Sequence, residues 1–261
     1  MHSALYVSKT GLAAQDTRLS TISHNLANVG TVGFKRDRAS FEDLLYQIKR
    51  QPGADSAADT QLPSGLQIGT GVRVVSTQKE FTEGNLEITD QALDVAIIGR
   101  GFLPILQPDG SESYTRNGEL QINSEGTIVN ANGLAIQPAI TIPDGATQIT
   151  IGNDGVVSVR LQGQPAPQQV GTIQVVDFIN PAGLQAIGAN NFLQTAASGD
   201  PQAGTPGENG LGYLMQGGLE TSNVDIVEEM VNLITTQRAY EMNSKVVTSA
   251  DQMLQYITQN L

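Results

Sequence analysis

With 261 residues, a net charge of −12 and no cysteine, the chain can build neither a disulfide framework nor a thiolate metal site, and His2 and His24 alone do not make a zinc centre. Hydrophobic residues at 39%, aromatics at 5% and 28 glycines describe a modest core and short strands joined by tight turns, which excludes an all-helical protein. Charge is unevenly placed, with seven basic and four acidic residues in 1–50 but five and fifteen in 73–220, and this excludes nucleic acid as a partner of the middle, where phosphates would be repelled.

The first element is a helix within residues 1–33. Leu5, Leu12, Leu19 and Leu26 recur every seven residues with Ile22 between the last two, a heptad stripe. Gly11 interrupts it at about 1 kcal/mol, and Asn28 followed by Gly30 supplies a C-terminal stop. Met1 to Thr10 lack the basic start and continuous apolar run of a cleaved signal peptide, and no window approaches a membrane span. The expectation is a protein that leaves the cytoplasm, if it does, without such a peptide and is not embedded in a membrane.

Residues 34–72 lose periodicity. Arg50 to Thr60, with Pro52 and Gly53, and the run Leu62-Pro63-Ser64-Gly65-Leu66-Gln67-Ile68-Gly69 suggest a loop or extended linker, and an irregular connection of this length is disordered or binds something. From 73 to 218 the period changes to two: Val72 and Val74, Leu86 and Ile88, Leu120 and Ile122, Ile149 and Ile151, Val157 and Val159, Ile173 and Val175 predict half-buried strands. Turn signals fall at Asp109-Gly110, Glu125-Gly126, Asn132-Gly133 and Asp154-Gly155, the last a hairpin. Gln121 to Val129 and Thr150 to Val159 echo one another weakly, short of a repeat. Ala197 to Gly210, rich in Gly, Pro and Ser, reads as a surface loop.

Residues 219–261 hold the longest element. Val224 to Leu261 contains no Gly or Pro and predicts a helix of about 38 residues and roughly 57 Å. Ser222 with Asp225 marks its start, and Glu228 and Glu229 suit the positive end of the macrodipole. Apolar residues including Val227, Met230, Ile234, Tyr240, Val246, Met253 and Ile257 form a stripe, while the opposite face is polar but short of charge. Such a helix melts alone, so the two ends are expected to pair with each other and then with sister molecules. The fold class is α+β: a discontinuous helical coiled-coil domain from both termini and a mainly antiparallel β middle domain.

The stretch Asn25-Leu26-Ala27-Asn28-Val29-Gly30-Thr31-Val32-Gly33-Phe34-Lys35 resembles the N-terminal signature of the bacterial flagellar rod and hook proteins, departing at Gly30 and Val32. The far end carries a matching half in Ser222-Asn223-Val224-Asp225 and Gln237-Arg238-Ala239-Tyr240-Glu241-Met242-Asn243-Ser244-Lys245. The middle agrees at Asp94 to Phe102 and at Tyr114-Thr115-Arg116-Asn117-Gly118, with Leu103 and Leu120 where Phe is usual. The segment after Tyr46 and the run from Leu62 to Val72 resemble the distal-rod members of that family.

The resemblance implies a structural protein that assembles helically into a drive shaft, transmits torque to the hook and uses no cofactor. Its implied partners are further copies of itself, proximal rod proteins, the hook protein and the surrounding basal-body rings. It also implies residence in the rod that crosses the periplasm and export by the flagellar type III route. On this reading Leu5, Leu12, Leu19, Ile22, Leu26, Asn28, Phe34, Ile234, Gln237, Arg238, Tyr240, Asn243, Met253 and Ile257 belong to the assembly interface. Pro52, Leu62, Pro63, Gly65 and Leu66 belong to a segment that wedges between neighbours and stiffens the rod. A proximal rod or hook protein is the near alternative, distinguished by the segment from Tyr46 to Gly71.

Catalytic chemistry finds little footing. Gly99-Arg100-Gly101 lacks the third glycine and following helix of a dinucleotide loop, and Asn153-Asp154-Gly155 lacks the alternating ligands of a calcium loop. His24 suits a helix end near Asp16 and Ser20. A carbohydrate-binding or cell-wall-cleaving β module would need paired carboxylates in a cleft, and Glu80, Glu83 and Glu87 read as surface acids.

Overall fold

The computed structural model describes residues 3–53, 55–57, 60–61, 63–163 and 166–259. It divides into two units: the first comprises Met1–Ala27, Asp37–Gln78 and Asp225–Leu261, the second Asn28–Arg36 and Lys79–Val224. Compared with the sequence-based boundaries, residues 28–33 leave the N-terminal helix for the β-rich unit, and most of 34–72 joins the helices.

In the first unit, helix α1 (Ser3–Ala27) runs antiparallel to helix α2 (Ile226–Gln259). Asn25 Nδ2 lies 3.4 Å from Glu229 Oε1, and fourteen residues earlier on α1 Gly11 faces Asn243, fourteen later on α2. The seam is small and polar. Ser8, Ala14, Ile22 and Asn25 are buried on α1, and Glu229, Thr236 and Ala250 on α2; with Asn243, the α2 set repeats every seven residues. A Cβ on Gly11 would stand 3.2 Å from Asn243 Nδ2, so the missing side chain that weakens the helix lets its partner approach. The helix start also differs from expectation. Asp225 caps α2, its Oδ1 accepting from the N–H of Val227 at 2.8 Å and of Glu228 at 3.2 Å, whereas Ser222 accepts from Val224 N–H.

The segment expected as a loop is instead a β ribbon. Asp37–Asp43 pairs with Val72–Lys79. Gln47–Arg50 then pairs antiparallel with Leu66–Ile68, and Asp55–Ala57 with Thr60–Gln61. The period-two pair Val72 and Val74 marks the strand Val72–Lys79, but its partners between 37 and 68 satisfy their backbone by hairpin pairing without alternating burial on one face and so carry no such pattern. At its base Asn25 grips Asp37 through both main-chain groups, at 2.8 and 2.9 Å, and His24 Nε2 stands 3.7 Å from Asp37 Oδ2.

The second unit is built from short antiparallel pairings. Its largest sheets are four-stranded, in the order Gln185–Gly188, Asn191–Leu193, Glu112–Thr115 and Leu103–Leu106, and three-stranded, from Ala146–Ile151, Val156–Leu161 and Gln168–Thr172. An aliphatic core gathers Val95, Leu103, Leu120, Ile128, Val157, Ile173 and Leu214 among others, so both Leu103 and Leu120 do core work where a Phe would be larger. A separate aromatic cluster packs Phe102, Tyr114, Phe178 and Phe192 edge to face with Phe81. Ile173 lies outside any strand and donates its N–H to Gly155 O.

The four turn signals prove to be one structure used four times. In Gln107–Ser111, Asn123–Thr127, Asn130–Leu134 and Gly152–Val156 the first N–H donates to the last carbonyl, and the glycine at the fourth position donates back to the first carbonyl. Those glycines, Gly110, Gly126, Gly133 and Gly155, all have φ between 78° and 84°, the left-handed conformation glycine adopts without steric cost. An Asp or Asn within each turn accepts from its backbone N–H groups.

Candidate assembly surface and buried ion lock

Most of the apolar stripe read on α2 does not face α1. Val227 is 72% exposed, Ile234 47% and Met253 62%, and Met230, Val231, Tyr240 and Val246 are exposed as well. Glu229, Thr236, Asn243 and Ala250 occupy the inner line instead, since the helix turns its polar and small residues toward α1. On α1, Leu5, Leu12, Leu19 and Leu26 are half-buried and flank the seam, with Ile22 inside it. Gln237 and Arg238 are exposed, and Asn243 is half-buried against Gly11. The side chain of Ile257 lies outside the described residues, as does Leu62.

The ribbon adds a second exposed apolar set. Leu45 is 89% exposed, and Tyr46, Ile48 and Leu66 are each more than half exposed. Pro52 and Pro63 are exposed, and Gly65 sits so close to Arg50 O and Pro52 that a Cβ there would clash at 2.5 Å. Hydrophobic side chains this numerous on one small unit make it the candidate assembly surface.

Two further residues expected at the interface have partners within the second unit. Phe34, 6% exposed, is buried in the second unit with Lys79 Nζ 4.9 Å from its ring centre. Asn28 forms a turn, its Oδ1 accepting from Thr31 Oγ1 at 3.2 Å. Phe34 thus packs inside the single chain.

The second unit holds a buried ion lock that the sequence did not reveal. Glu220 Oε1 accepts from Lys35 Nζ at 2.7 Å and from Gly84 N–H at 2.9 Å, and its Oε2 from Arg116 Nε at 2.7 Å. Lys35 also donates to Thr82 O at 2.6 Å, and Arg116 to the carbonyls of Ile97, Gly99 and Gly101. The Lys35 side chain is 0% exposed. Burial, then the Arg116 charge, pushes the Lys35 ammonium below the ordinary lysine value against the pull of Glu220. Burial pushes the Glu220 carboxyl up, but Arg116 and Lys35 outweigh it and hold it below the usual glutamate range. The lock joins three stretches: Gly33-Phe34-Lys35, Tyr114-Thr115-Arg116 and Gly218-Leu219-Glu220.

The same geometry settles what Gly99-Arg100-Gly101 does. The Gly99 and Gly101 carbonyls accept from the Arg116 guanidinium and the Arg100 carbonyl from Gly212 N–H, so this turn offers its carbonyl oxygens to a cation rather than N–H groups to a phosphate. Glu80, one of the three acids weighed for cell-wall cleavage, is in an ion pair with Arg36 Nε at 3.0 Å. Among the described residues no group of three His, Asp or Glu could hold a metal, and no helix is long and apolar enough to cross a membrane.

Comparison with known proteins bears on the whole length. Residues 5–35 match the flagella basal body rod protein family, residues 96–159 the flagellar hook protein FlgE/F/G D1 domain family, and residues 215–260 the flagellar basal body rod FlgEFG protein C-terminal family. The flagellar basal-body rod protein FlgG of Buchnera aphidicola subsp. Schizaphis graminum is 52% identical over 98% of both chains. That of Caulobacter vibrioides is 51% identical over 98% of both. The Bacillus subtilis protein of the same name is 35% identical over 97% of this chain and 96% of its own. The chain belongs to the flagellar basal-body rod protein family.

Proposed function

We propose that this protein is a structural subunit that self-assembles head to tail into the distal rod and carries torque along it to the hook. The supporting observation is the row of exposed apolar side chains on α2, from Val227 through Ile234 to Met253, on a helix whose other side already has a partner. A surface of this kind gains its hydrophobic stabilisation only when another copy covers it, and repeated heterologous contacts that do not close into a ring produce a filament. Relatives about half identical over their full length and named as rod proteins point the same way.

In the assembled rod, α1 and α2 form the inner layer as a coiled coil shared among copies. Leu5, Leu12, Leu19, Leu26, Ile234, Met253 and Ile257 are held there, and Gln237, Arg238, Tyr240 and Asn243 reach neighbouring chains. The ribbon, through Leu45, Tyr46, Ile48 and Leu66, wedges between adjacent copies and stiffens the shaft. The acidic second unit faces outward toward the basal-body rings. Proximal rod and hook proteins continue the shaft at its two ends.

Ile234→Asp tests this without disturbing the monomer, because Ile234 is exposed in the single chain. Circular dichroism of the variant should match the parent while electron microscopy finds no filaments. Filaments of normal length from Ile234→Asp would contradict the proposed inner layer.

A further inference from the structure

We propose that Asn209-Gly210 is a spontaneous deamidation site, and that the fold protects the chain's other two Asn-Gly pairs. Asn209 and Gly210 have φ of 52° and 80°, and Leu211 N–H donates to Glu208 O at 2.9 Å. This is a type I′ turn, braced below by Gly207 N–H to Gly212 O at 3.0 Å. Both turn residues are exposed, and a Cβ on Gly210 would meet nothing within 4 Å. Among the described residues neither the Asn209 carboxamide nor the Gly210 N–H has a hydrogen-bond partner.

The chemistry needs that freedom. Hydroxide or another solvent base removes the Gly210 amide proton, and the nitrogen attacks the Asn209 side-chain carbon. The N–C bond forms, the C–NH2 bond breaks, and ammonia leaves with a proton from solvent. Water then opens the resulting succinimide at either carbonyl, giving aspartate or isoaspartate. No electrons change hands, and water is the only co-reactant.

The other pairs are held shut. Gly133 N–H is donated to Asn130 O at 2.9 Å, while Asn130 Oδ1 accepts from the N–H of Asn132. Asn117 Nδ2 donates to Glu119 Oε2 at 3.2 Å and its Oδ1 accepts from Glu119 N–H at 3.0 Å. Gly118 is buried so tightly that a Cβ would lie 1.7 Å from Val95 O. The product would add a negative charge beside Glu208, and isoaspartate would add a methylene to the main chain of a turn whose Leu211 packs on the aliphatic core.

The test is peptide mass spectrometry of the full chain held in mildly alkaline buffer, sampled over time, with a parallel sample in denaturant. In the folded protein Asn209 should convert about tenfold faster than Asn117 or Asn132, the factor that one retained hydrogen bond can supply. In denaturant the three rates should come together. If Asn117 or Asn132 keeps pace with Asn209 in the folded protein, or if all three pairs stay intact there while the denatured chain reacts, the proposal is wrong.

Discussion

Glu220 decides more of the second unit than any other residue, because one carboxylate neutralises two buried cations. Glu220→Ala leaves the Lys35 and Arg116 side chains buried beside one another without their counter-ion, and breaking a buried pair from one side costs about 3 to 5 kcal/mol. Chemical unfolding followed by circular dichroism should show a loss of that size, far above the few tenths expected for Glu125→Ala on the exposed surface. The pH dependence follows from the same charges. Glu220 titrates below its ordinary 4.5 in the folded chain, so its contribution is complete above that value and is lost as pH falls through the lower folded value. Acid should therefore weaken the second unit below about pH 4.5, and Glu220→Gln should flatten that part of the curve. Lys35 and Arg116 stood in plain view in two motifs without a legible role, since nothing in Gly218-Leu219-Glu220 marks that glutamate as their shared counter-ion across separations of 185 and 104 residues.

Elements were legible to different degrees for physical reasons. The first terminal helix follows from its heptad of leucines and the second from a run free of Gly and Pro, and the strands at Ala146–Ile151 and Val156–Leu161 from apolar residues spaced by two, with glycine turns at the expected places. The ribbon's strands between residues 37 and 68 escaped because they bury neither face. The helix seam escaped because hydrophobic periodicity finds apolar stripes, and here the two helices meet through Gly11, Ala14, Asn25, Thr236 and Asn243. Polar seams specify register more than they stabilise, and close approach at Gly11 is part of that specification. Gly11→Leu forces a branched side chain into Asn243, and overpacking of this kind costs about 1 to 3 kcal/mol even though leucine is the better helix former. Amide exchange in the full chain should speed up along α1 and α2 and stay unchanged in the second unit.

Across the molecule, charge is unevenly divided between the units. The second carries six basic and fifteen acidic residues, a net −9, and the first eight and eleven, a net −3. Copies brought together through the first unit must hold their second units at close quarters, where like charges repel. Added salt screens that repulsion, with a Debye length of about 10 Å at 0.1 M and about 3 Å at 1 M, but leaves apolar contact intact. Light scattering should therefore show the critical concentration for assembly falling as salt is raised, and a rise would mean that attraction between charges drives polymerisation.

The most direct measurement is an image of the polymer at side-chain resolution. Neighbouring copies should cover Val227, Ile234 and Met253 on α2 and Leu45, Tyr46 and Ile48 on the ribbon. Filaments joined through the second units, with those six side chains left in water, would contradict the account.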